Sequence, residues 1–94
     1  MDTAQLLADF FKAIRTDPRI NTAHIGLYIS IVHYWHTHQS VNPIRAFSRE
    51  LKELAKISGN HTYHKCMRDL HDGGHIRYEA SYNRHLGSRI YLKI

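Results

Sequence analysis

Residues 58–76, SGNHTYHKCMRDLHDGGHI, constrain the chain more than any other stretch, because a turn, a helix and its stop fall in one run. A serine and a glycine form the turn, a helix of about three turns follows, and Gly73-Gly74 stops it before an apolar, strand-like run. Tyr63, Cys66, Met67 and Leu70 recur at i, i+3, i+4 and i+7, so they share one inward face. With about 100° between successive residues, His61, Lys65 and Arg68 sit roughly opposite that face and His64 on its shoulder. An apolar inner face with a basic, hydrogen-bonding outer face suits a helix that enters the major groove of DNA.

The rest of the composition is compatible with such a role. Net charge is +5, and residues 1–43 hold three basic and three acidic side chains, so the whole excess lies in residues 44–94. Charge gathered in the half that carries the basic helix favours a polyanionic partner. An apolar share of 43% and ten aromatic residues argue for one folded domain over residues 1–94. No apolar run approaches the roughly 20 residues of a membrane span, and the N-terminus has no signal-peptide pattern. The single cysteine, Cys66, falls on the inner helix face and reads as a small buried apolar residue in a reducing cytoplasm.

Along the chain, residues 3–15 read as an amphipathic helix with Leu6, Leu7, Phe10, Phe11 and Ile14 on one stripe and Asp2 or Thr3 as its cap. Asp17-Pro18 ends it. A second helix runs from Asn21 or Thr22 to about His38 and is apolar on most sides, which places it at the centre of the domain or at a subunit interface. Gly26 in its interior permits close approach of a neighbouring element. After Pro43 comes a short strand at residues 44–47. Ser48 then caps a helix to about Ile57, with Leu51, Leu54, Ala55 and Ile57 inward and Glu50 in its first turn. Ala55 and Gly59 suit a steep helix crossing, a small residue at the contact and a glycine to turn the chain. Beyond the basic helix, Ile76, Tyr78, Ala80 and Tyr82 alternate with polar residues, and Ile90, Leu92 and Ile94 alternate again. These make a β-hairpin with Arg84 and His85 at its tip and Arg89 at its base.

Helix, strand, helix, turn, helix and hairpin is the element order of the winged helix-turn-helix, which residues 22–94 resemble. The expected fold is thus mainly α with a small β-hairpin, an α+β class, carrying an extra N-terminal helix over residues 1–20. More narrowly, the phrase LHDGGHIRYE and the runs TYHKC at residues 62–66 and GSRIYL at residues 87–92 resemble small winged-helix proteins of bacterial integrative and conjugative elements. The resemblance implies a DNA-binding regulator, or an accessory factor of replication or transfer, more than it implies any particular activity. Gly74-His75 stands where winged-helix proteins usually place a large apolar residue, which predicts a looser corner there.

On this reading His61, Thr62 and Lys65 reach base edges, and His64 and Arg68 reach either bases or phosphates. Asn60 either donates to a phosphate or caps the helix. Ser48 and Arg49 offer a phosphate site at a helix start, and Arg84, His85 and Arg89 reach the backbone or minor groove from the wing. Tyr63 faces inward by spacing, with contact to DNA as the alternative. The leucine-phenylalanine stripe of the first helix and the apolar second helix serve either as core or as a homodimer interface. His33 with His36, and His61 with His64, have spacing for a shared metal ion, but no carboxylate or thiolate completes a ligand pattern. With no phosphate-cradling glycine loop or nucleophile elbow, neither cofactor nor catalysis is expected. The rival from another class is a protein-interaction module of a replication-initiation or transfer assembly.

Overall fold

The computed structural model describes residues 2–83 and 85–93, so Arg84 and Ile94, assigned above to the hairpin tip and the last strand, lie outside the described residues. Its elements are helix α1 (Thr3–Ala13), a single 3-10 turn (Ile14–Thr16), helix α2 (Thr22–Thr37), strand β1 (Ile44–Ala46), helix α3 (Ser48–Ala55), helix α4 (Asn60–Asp72) and strands β2 (Ile76–Glu79) and β3 (Ser88–Leu92). The fold is α+β, with four α-helices and one small antiparallel sheet among the described residues. No described helix is long and apolar enough to cross a membrane.

Helix α1 starts where Asp2 Oδ1 accepts the Gln5 amide at 2.7 Å, leaving Thr3 as its first residue. Leu6 and Phe10 are buried, and Leu7 and Ile14 pack against the core, but Phe11 stays exposed. Only part of the expected stripe therefore has a neighbour. The contact is made through α2, where the Tyr28 ring stacks on Phe10 at 3.8 Å. Asn21 caps α2 by accepting the Ala23 amide, while its own N–H donates to His24 Nδ1 at 3.1 Å. Leu27, Ile31 and Val32 are fully enclosed, so α2 is the centre of the core, although Ile29 remains exposed. Gly26 faces Ala55 of α3, yet a Cβ there would sit 3.7 Å from the Ala55 carbonyl oxygen, an ordinary contact. The small side chains at this crossing ease it without being demanded by it.

The sheet has the order β1-β3-β2, all antiparallel, so the short strand adds to the hairpin's outer edge. Ile44 pairs with Ile90 and Ile76 with Leu92, and all four side chains are buried. Asn42 fixes this edge by accepting the Leu92 amide at 2.9 Å and donating to its carbonyl at 3.1 Å. On the helical side, Tyr34 of α2 donates its hydroxyl to the Arg45 carbonyl of β1.

Several local expectations change. Ser48 is the first residue of α3 and does not cap it; no side chain among the described residues accepts the helix's first amides, and Glu50 Oε1 instead accepts the amide of Phe47, the residue before the helix, at 3.0 Å. Leu54 is 43% exposed because α3 presents only Leu51 fully to the core. The turn after α3 is made by Lys56, at φ 60°, while Gly59 keeps an extended φ of −90°. Strand β2 ends at Glu79, leaving Ala80 exposed and Tyr82 wholly in solvent. The Gly74-His75 corner is filled: His75 is buried, donates its Nε2–H to Asp17 Oδ2 at 3.0 Å, and packs edge-on to Phe10.

Candidate nucleic-acid interface

The turn that presents α4 is a Schellman closure of α3. Ile57 donates its amide to the Lys52 carbonyl and Lys56 to the Glu53 carbonyl, with Lys56 in the left-handed region between them. Ile57 is then buried and pulls the chain back onto the core. Helix α4 begins with no side-chain cap, so its first amides point outward unclaimed by a side chain. Its far end is a second Schellman closure, with His75 donating to Leu70, Gly74 to His71, and Gly74 at φ 77°. His71 Nδ1 also accepts the Tyr78 amide, tying the helix to β2.

Between these closures the inner face is as the spacing predicts: Tyr63, Cys66, Met67 and Leu70 are all buried. Burial pushes the Tyr63 phenol far above its ordinary pKa, with Tyr78 adding to the shift, so Tyr63 belongs to the core and not to the outer face. Burial likewise raises the Cys66 thiol, and the lysine beside it only partly opposes this. His61, Thr62, His64, Lys65 and Arg68 are all exposed. Arg68 forms no ion pair among the described residues. Lys65, by contrast, lies 2.9 Å from Asp69. Asn60 is exposed and its side-chain oxygen accepts Lys52 Nζ from α3, so it bridges the two helices and caps neither.

Ser48 and Arg49 are exposed at the start of α3, the Arg49 guanidinium lying 5.5 Å from the Phe47 ring. A groove of about 380 Å³ brings Ser48 and His64 together with the hairpin residues Ser81, Asn83, Leu86 and Ser88. The start of α3, the outer side of α4 and the hairpin therefore share one concave surface. His85 is exposed in the loop between β2 and β3, its amide donating to Asn83 Oδ1 at 2.9 Å. Arg89 is exposed but turned onto Glu79 at 3.3 Å, and Arg77 meets the same carboxylate at 2.7 Å. Arg77 chiefly, with Tyr91 and Arg89, holds the Glu79 carboxyl below its usual range.

Three features escaped the spacing argument. Arg45 sits directly across from Arg89 in the β1–β3 register, adding a second guanidinium to the exposed sheet face. His24 and His75 are both buried and each meets an aspartate distant in the chain. Arg45 was detectable as the polar residue between Ile44 and Ala46; the two histidine pairs had no local signal. Among the described residues no three His, Cys, Asp or Glu side chains converge as a metal site, and the paired histidines of α2 and α4 acquire no third ligand. No protein-family profile, curated protein or solved structure matches the chain.

Proposed function

We propose that this chain is a winged-helix protein that binds double-stranded DNA, laying α4 in the major groove and the β2–β3 hairpin along the adjoining backbone. The observation that carries the reading is the outer face of α4, where His61, Thr62, His64, Lys65 and Arg68 are exposed on a helix whose opposite face is core. The order β1, α3, turn, α4, β2, β3 agrees with that of winged helices, and the charge excess of residues 44–94 supports a polyanionic partner. Arg68 and Lys65 supply electrostatic attraction, His61, Thr62 and His64 face base edges, and Ser48, Arg49 and His85 lie on the surfaces that meet phosphates. The biological setting, regulation of transcription or assistance to replication or transfer of a mobile element, rests on the sequence resemblance alone.

Fluorescence anisotropy with labelled duplexes across a salt series tests this. Arg68→Ala is expected to reduce the slope of log K against log salt by about one unit, the loss of a single phosphate neutralised. A wild-type protein that binds no duplex at low salt would sink the reading.

One observation favours a second reading as an interaction module. Leu54 is exposed beside a groove of about 490 Å³ between α2 and α3, lined also by His33, Tyr34, Glu50 and Glu53. Absence of duplex binding together with a stoichiometric protein complex lost on Leu54→Glu would favour it. Homodimerisation through α1 and α2 remains part of the DNA-binding proposal, with Phe11 and Ile29 as the exposed apolar residues on those helices. Sedimentation of wild type against Phe11→Glu tests it.

A further inference from the structure

Asp69 is the junction of a three-residue chain running from the core to the outer face of α4. Its Oδ2 lies 2.9 Å from Lys65 Nζ and 2.8 Å from His24 Nε2. The side chains grade from His24 at 2% exposure through Asp69 at 15% to Lys65 at 58%. The Asn21 amide donates to His24 Nδ1 at 3.1 Å, which in the neutral ring leaves the proton on Nε2, pointed at Asp69. Arg19, from the connection between α1 and α2, also feels Asp69 and Asp72, but its guanidinium is bound to Asp17.

We propose that His24 is a positioning residue for the DNA face: by holding Asp69 it allows Lys65 to leave that carboxylate for a backbone phosphate. The inference rests on the DNA-binding reading above. Lys65 and Asp69 together are neutral, so Lys65 adds to the attraction for DNA only when its ammonium turns outward. A largely enclosed carboxylate stripped of its donors is costly. With His24 present, Asp69 keeps a 2.8 Å hydrogen bond after Lys65 departs. Without it, Lys65 is the remaining side-chain donor to Asp69 among the described residues, and the ammonium stays where it is.

Duplex binding is measured by anisotropy across salt for wild type and for His24→Leu, His24→Gln, Lys65→Ala, Asp69→Asn and their combinations. His24→Leu is expected to lower the salt slope by about one unit, which is roughly a three- to fourfold smaller change in affinity between about 50 and about 200 mM salt. Lys65→Ala should add little in that background. Adding Asp69→Asn to His24→Leu should restore the wild-type slope, since no carboxylate then retains the lysine; a purely structural role for His24 would not be rescued this way. His24→Gln, whose amide can still donate to Asp69, should keep most of the slope. Equal cost of Lys65→Ala in the wild-type and His24→Leu backgrounds overturns the proposal, as does failure of Asp69→Asn to restore binding. If circular dichroism shows that both His24 variants are unfolded, Asp69→Asn decides against Asp72→Asn on the same helix. Because His24 already frees Lys65, Lys65→Ala should cost the same in the wild-type, Asp69→Asn and Asp72→Asn backgrounds; a larger cost in Asp69→Asn would show that the carboxylate still retains the lysine and overturns the proposal. A wild-type protein without duplex affinity fails the DNA-binding reading itself and takes this inference with it, whereas wild-type binding with additive variants fails the inference alone.

Discussion

Lys56 holds φ 60° and ψ 36° at the end of α3, a left-handed conformation in which a Cβ crowds the following carbonyl. The Schellman closure requires that conformation at this position, and Gly59, three residues later, is extended and takes no part in it. Lys56→Gly is therefore expected to stabilise the protein by about 0.5–1 kcal/mol, the strain relieved exceeding the entropy glycine brings to the unfolded chain. For a domain of this size that is a rise of roughly 2–8 °C in Tm, readable by circular dichroism. Gly59→Ala, by contrast, should leave Tm nearly unchanged, because its Cβ would come no closer than 3.8 Å to Thr62 Oγ1. The need for a turn was legible in the sequence, but the residue that makes it was not. A left-handed position is set by where the helix stops, and a lysine there carries no mark of it. Leu54 and Tyr82 misled for a related reason: apolar spacing identifies a face, and only the neighbouring elements determine how far along the chain that face is covered.

Helices α2 and α4 were legible almost to their ends because caps and periodicity agree. Asn21 precedes a long apolar run, and Gly73-Gly74 follows an i, i+3, i+4, i+7 set whose four members are all buried. The partner of strand β1 was not legible, since three alternating residues specify a strand without saying which edge receives it. Gly87 supplies the missing constraint. A Cβ on it would lie 2.7–2.8 Å from the backbone N, C and O of Ala46, so the two chains approach closer than any side chain permits. Gly87→Ala is expected to push β1 away from β3 and cost about 1–3 kcal/mol, as overpacking of a fixed neighbour does. Tm should fall accordingly, and amide exchange should rise first in β1, with α2 and α4 still protected. Because β1 leads directly into Ser48 and Arg49, a displaced edge would also move that end of the candidate interface. Exchange that accelerates evenly through the domain would show that the close approach does not control the edge.

For the whole molecule, the most informative contacts join segments far apart in sequence. His24 meets Asp69 across 45 residues and His75 meets Asp17 across 58, and together they fasten the α1–α2 region to the end of α4 and the corner before β2. Neither pair has a local pattern, which is why the corner at His75 read as loose from sequence and is closed in the structure. Both aspartates are held below the ordinary carboxylate range, Asp17 by Arg19 first and then His75, Asp69 by Lys65 first and then His24. A carboxyl with a folded pKa below its unfolded value binds more protons when unfolded, so stability rises with pH through that interval. The contribution is complete above the unfolded value, about 3.9 for an aspartate, and is lost progressively as pH falls toward the lower folded values. Urea midpoints should thus decline steadily as pH drops from about 5 to about 2. Asp17→Asn and Asp69→Asn should each lower the midpoint at neutral pH and flatten that decline, and the double variant should flatten it further. Both carboxylates are partnered by a histidine and a stronger cation, so the decline should also weaken in high salt, most for the exposed Lys65 partner and least for the buried histidines. A wild-type midpoint that stays level between about pH 5 and about pH 2, or an acid decline equally steep in the double variant, would show that these two carboxylates do not hold the N-terminal region to α4.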